Sequence, residues 1–94
     1  MRVNRQNMTS DQKIRSDIRA FIVENFLMGD ATTMPADHES YIANGTIDST
    51  GILELIMFLE SHFDIRIEDR ELLPENIDSL DNQVKFILGK LHAA

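Results

Sequence analysis

Apolar residues return at helical spacing in three separate stretches, and that rhythm limits the chain to a helical fold. Ile14, Ile18, Phe21, Ile22 and Phe26 share one face between Asp11 and Leu27. Ile52, Leu55, Ile56, Leu59 and Phe63 do the same from Ser49 to Phe63, and Leu80, Val84, Ile87, Leu88 and Leu91 follow Ser79. Residues three, four and seven apart lie on one side of a helix, so each stretch predicts an amphipathic helix with one stripe to bury. None can bury its stripe alone. In 94 residues they must share one core, so the prediction is all-α, a small helical bundle with a long first connection. Glu68–Leu73 reads as a short helical turn stopped by Pro74. Asp64–Ile67 alternates polar and apolar but is too short for a sheet without a partner strand.

The helix ends are marked. Thr9 and Gln12 have capping-box spacing, with Ser10 as a competing cap, and Gly29 suits a left-handed stop after Met28. At the second helix, Asp48 as N-cap puts Ile47 and Ile52 at the two positions that close a hydrophobic staple. Ser49 is then the first helical residue, and its hydroxyl is not needed for capping. Between these helices, residues 30–47 lack periodicity and contain Pro35 and an Asn44-Gly45 turn signal. An aperiodic segment of that length is longer than most ordered loops and suggests function; Tyr41 and Ile42 are expected to pin it to the core. Gly89 weakens the last helix by about 1 kcal/mol relative to Ala.

Composition removes several functions. With no cysteine there is no disulfide framework, thiolate zinc site or thiol nucleophile. His38, His62 and His92 have no helical ligand partner three or four residues away and read as surface histidines. No phosphate-binding glycine loop, calcium loop or nucleophile elbow occurs. We therefore expect no catalytic residue, no metal and no unaided enzyme activity. No apolar run approaches the roughly 20 residues of a membrane span, and Met1–Ser10 lacks the apolar centre of a secretory signal, so a cytoplasmic protein is expected.

Nine Lys and Arg stand against sixteen Asp and Glu, a net charge of −7, which disfavours nucleic acid as a partner. The charge is uneven. Residues 1–20 hold five bases and two acids, a net of +3; residues 21–65 hold eight acids and no base; residues 66–94 hold four bases and six acids. A base-free middle attracts basic partner surfaces.

The stretch from Gly45 to Phe63, Gly-Thr-Ile-Asp-Ser-Thr-Gly-Ile-Leu-Glu-Leu-Ile-Met-Phe-Leu-Glu-Ser-His-Phe, resembles acyl carrier proteins. These are four-helix domains whose Asp-Ser-Leu motif opens the second helix and carries 4′-phosphopantetheine on the serine. Phe63-Asp64 with Ile65-Arg66-Ile67 resembles the family's continuation, and Leu72-Leu73-Pro74-Glu75-Asn76-Ile77 its short third helix. The resemblance implies a single carrier domain over residues 10–94 after a polar extension, residues 1–9. Ser49 is then the attachment residue for the covalent 4′-phosphopantetheine, with Asp48 beside it, and Glu54, Met57, Glu60 and Thr50 face partner enzymes. Two departures point to a specialised member: Thr50 stands where the family has Leu, removing an apolar partner contact, and Gly51 puts a flexible residue in the first turn. Asp78-Ser79-Leu80 spells the motif literally, but it precedes the last helix and is read as that helix's cap.

The role implied is to hold acyl intermediates as thioesters for fatty acid, polyketide or related biosynthesis. The implied partners of this monomer are a phosphopantetheinyl transferase, an acyl-loading ligase or acyltransferase, and downstream acyl-processing enzymes with basic patches. The inward faces of the second and last helices (Ile56, Leu59, Val84, Ile87) either part around an acyl chain or form a plain core. An alternative is an acidic helical adaptor that keeps the fold and works without the arm.

Overall fold

The computed structural model describes residues 9–93, and four α-helices account for most of them: α1 (Ser10–Phe26), α2 (Ser49–Phe63), α3 (Pro74–Ile77) and α4 (Leu80–Ala93). No strand occurs among the described residues. This is the expected all-α bundle, with a long α1–α2 connection and a short third helix. Residues 1–8 of the N-terminal extension lie outside the described residues.

The predicted stripes form the core, except that Leu91 near the end of α4 is 41% exposed. Ile14, Ile18 and Ile22 of α1, Ile52, Leu55, Ile56 and Leu59 of α2, and Leu80, Val84 and Ile87 of α4 belong to one buried cluster. Phe21, Phe26, Phe63 and Leu88 pack half-buried at its margin. The capping box at Thr9 forms as expected, with Gln12 N–H on Thr9 Oγ1 at 3.1 Å and Thr9 N–H on Gln12 Oε1 at 3.0 Å. At the other end of α1, Met28 shares the left-handed turn with Gly29, at φ 54° and 82°. Gly29 N–H reaches back to Val23 O at 2.8 Å, so a stop expected of glycine alone uses two residues.

One expectation is extended and one is corrected. Pro74 does not only stop the preceding turn, a 3₁₀ turn at Asp69–Glu71; it occupies the first position of α3, where a residue without an N–H is favoured. Tyr41 pins the long loop, but the Ile42 side chain is 52% exposed. Its backbone is engaged instead, the N–H by Asp78 Oδ1 at 3.2 Å and the carbonyl by Gly45 N–H at 3.0 Å.

The long loop is clasped to the far end of the chain. Tyr41 N–H donates to Asp78 O at 3.0 Å, and Asp81 N–H donates to Asp37 O at 2.9 Å. Ser40 Oγ donates to Asp78 Oδ2. Inside, Tyr41 OH donates to Gln83 Oε1 at 2.9 Å, and Gln83 Nε2 donates to Ile77 O at 2.9 Å, so both buried polar side chains are bonded. Burial, with the nearby Asp37 charge, pushes the Tyr41 hydroxyl pKa well up and keeps it a donor. Gly45, at φ 71°, then turns the chain towards Ile47, which is fully buried ahead of α2.

Ion pairs engage the three bases of α1. Arg15 bonds Asp11, Asp37 and Asp81, and Arg19 bonds Asp37, tying α1 to the loop and to α4. Lys13 pairs with Asp17 at 2.8 Å, and His62 Nε2 reaches the same carboxylate at 3.0 Å. Burial alone raises the Asp17 pKa, but the bonds from Lys13 and His62 outweigh it and hold the carboxyl below its ordinary value. Glu71 is held low by the Glu68 backbone N–H and by Lys90. A carboxyl whose folded pKa is depressed contributes stability above its unfolded pKa and loses it as pH falls through the folded one. The thermal midpoint should therefore decline as pH drops below the ordinary carboxylate range of about 4. Asp17→Asn should flatten that decline, as measured by circular-dichroism melts across pH.

Candidate functional site

The start of α2 is built as the staple predicts. Asp48, extended at ψ −179°, caps the helix, and its Oδ1 accepts Gly51 N–H at 2.7 Å. Ile47 and Ile52, flanking the cap, are both in the core cluster. Ser49 is the first helical residue and is exposed. Among the described residues neither the Ser49 nor the Thr50 backbone N–H takes an acceptor. Unpaired N–H groups at the positive end of a helix dipole suit a phosphate oxygen on Ser49. Since Asp48 caps the helix, the Ser49 hydroxyl takes no part in holding it.

Gly51 is not a flexible joint. It is buried, and a Cβ there would lie 2.8 Å from Phe26 Cε1 and 2.9 Å from Ile47 Cγ2. The first turn of α2 approaches α1 and the loop end too closely for any side chain. Gly51→Ala should cost about 1–3 kcal/mol by overpacking, despite the better helix propensity of alanine. Urea unfolding measures this, and a neutral or stabilising result would mean that Phe26 and Ile47 yield freely.

The other predicted site residues divide between surface and framework. Thr50 and Glu54 are exposed, and Met57 is 67% exposed. Glu60 is half-buried, and its Oε2 accepts Ile67 N–H at 2.9 Å, so this carboxylate holds the segment that follows α2. Sequence reasoning passed over two residues. Leu53, 58% exposed, sits three after Thr50 and four before Met57 and so continues their face; extending the helical count to exposed apolar residues would have found it. Phe58 stacks on Phe21 with centroids 4.1 Å apart, and His62 stacks on Phe58 at 4.8 Å. His62 is thus engaged by an aromatic ring as well as by Asp17, more than a bare surface histidine.

The second Asp-Ser pair, Asp78-Ser79, is built differently. Ser79 is 4% exposed, and its Oγ accepts Asn82 N–H at 3.1 Å at the start of α4. Asp78 is engaged by the Ser40 hydroxyl and the Ile42 N–H. Among the described residues no group of three or more His, Asp or Glu is placed to hold a metal ion. No described helix is long and apolar enough to cross a membrane.

The chain is 29% identical over 70 residues to the aminoacyl carrier protein 2 of Bradyrhizobium diazoefficiens, a match that takes in 74% of this chain and 79% of the relative. No family model matches the chain. No solved structure matches it. A carrier-type role is what the likeness supports.

Proposed function

We propose that this chain is a carrier protein that bears a 4′-phosphopantetheine arm on Ser49 and presents an acyl group, aminoacyl in particular, to partner enzymes. The observation that carries the reading is the exposed Ser49 hydroxyl at the first position of a helix already capped by its neighbour Asp48. The name of the aminoacyl carrier relative supports the cargo class. When bound, the arm supplies a terminal thiol that holds the acyl group as a thioester, chemistry this cysteine-free chain lacks.

The residues present fit such an arm. In the attachment step the Ser49 oxygen forms a bond to the β-phosphorus of coenzyme A. The diphosphate P–O bond breaks to release adenosine 3′,5′-bisphosphate, and the hydroxyl proton passes to the transferase. Ser49 and Thr50 N–H groups are oriented to stabilise the phosphodiester anion. Thr50, Leu53 and Met57 offer partners a mixed apolar face, with Glu54 adding the negative charge that steers a basic surface. No side chain of this domain performs the acyl chemistry.

Incubating the purified protein with coenzyme A and a broad-specificity phosphopantetheinyl transferase tests the reading by intact mass. A gain of one phosphopantetheinyl group is expected. An unchanged mass under conditions that modify a control carrier would favour the arm-free adaptor instead.

A further inference from the structure

Two surface depressions meet between α1 and α2. One opens beside Thr46, Asp48 and Thr50, flanking Ser49, and the other lies over Phe21, Met57, Phe58 and His62. Asn25 and Glu54 line both, so they form one continuous groove. We propose that this groove is the resting place of the distal arm and its cargo, and that its lining favours a short member of the ammonium-bearing aminoacyl class proposed above. This rests on the carrier reading above.

Reach supports the assignment. At 1.5 Å of rise per residue, Phe58 lies roughly 13 Å along α2 from Ser49, and His62 roughly 20 Å. An extended phosphopantetheine chain, at about 1.2 Å per bond, spans roughly 16 Å, which brings its thiol beside Met57 and Phe58. The lining changes character in the same direction. Near Ser49 it offers Thr46, Thr50 and the Asn25 amide, groups that match the amides of the arm; farther along, the stacked Phe21 and Phe58 rings make an apolar floor.

Charge and packing select the cargo. No Lys or Arg lines the groove, Glu54 stands at its centre and Glu24 borders its α1 side, whereas Asp17 is already paired with Lys13 and His62. An ammonium suits that surroundings better than a carboxylate or a bare alkyl chain. A long acyl chain needs a deeper shelter, and the side chains of Ile56, Leu59, Val84 and Ile87 are buried in the shared core. A short cargo does not need them to part.

Isotope-labelled protein loaded from glycyl-coenzyme A or acetyl-coenzyme A by the transferase tests this, with intact mass reporting the loading and nuclear magnetic resonance reporting the location. The glycyl form should shift the side-chain signals of Phe21, Asn25, Met57 and Phe58 more than the methyl signals of Ile56, Leu59, Val84 and Ile87, and more than the acetyl form does. Glu54→Gln should erase the difference between the two cargoes. Loaded protein whose shifts stay within residues 46–51, or fall mainly on the core methyls, overturns the groove. Equal glycyl and acetyl shifts overturn the ammonium preference. Absence of any mass gain sinks the carrier reading itself, and the groove with it.

Discussion

Ser49→Ala should abolish phosphopantetheinylation completely while leaving the fold intact. The reason lies in the division of work at the start of α2, where Asp48 Oδ1 takes the Gly51 N–H and Ile47 and Ile52 are held in the core. Removing an exposed hydroxyl that bonds nothing should change stability by no more than about 0.5 kcal/mol. Ser79→Ala should do the reverse. It removes the buried oxygen that accepts Asn82 N–H and should cost about 1 kcal/mol, yet leave the mass gain unchanged. The paired outcome separates site from scaffold. A gain that survives Ser49→Ala and disappears in Ser79→Ala would reverse the assignment, and unfolding of Ser49→Ala would show that the cap at Asp48 is weaker than its geometry implies.

The largest stability loss is expected from Tyr41→Ala. The side chain is 1% exposed, and its hydroxyl bonds Gln83, which in turn holds Ile77 O. Truncating a buried aromatic costs about 3–5 kcal/mol, and leaving Gln83 Oε1 without its donor adds to that. Against a total of about 5–15 kcal/mol for a domain, the variant should be marginal at room temperature. Tyr41→Phe keeps the packing and loses only the hydrogen bond, so it should cost about 1–3 kcal/mol. Urea unfolding of the two variants side by side measures the packing contribution as their difference. Equal losses would mean that the polar bond dominates. In Tyr41→Ala the loop that delivers Ser49 also loses its anchor, so modification by the transferase should slow even in the folded fraction.

Much of the bundle was legible because its determinants are local. Asp48 and Ile47 mark the start of α2, and the 3.6-residue rhythm identifies its buried face. What was not legible depends on meetings between distant segments. Gly51 looks like a flexible residue until Phe26 and Ile47 are seen to close over it. Glu60 counts as a surface acid in any helical wheel, yet the backbone of Ile67 claims one of its oxygens. Tyr41 and Ile42 are adjacent and both apolar enough to be buried, and only the placement of Gln83 distinguishes them. Pairing also changes the meaning of the charge pattern. The bases at Lys13, Arg15 and Arg19 neutralise acids of α1, the loop and α4, so none of them opposes the acidity around the start of α2.

The clasp between the long loop and α4 has a consequence for the order of assembly. Tyr41 and Gln83 are 42 positions apart in sequence, and Ile42 and Asp78 are 36. Closing loops of that length carries an entropic penalty that only the finished contacts offset. A nascent chain emerges N-terminus first, so Ser49 leaves the ribosome well before the residues that anchor the segment leading to it. On the proposed function, the serine is correctly presented only after α4 has docked, and an enzyme that reads its surroundings meets a folded domain rather than a partly folded one.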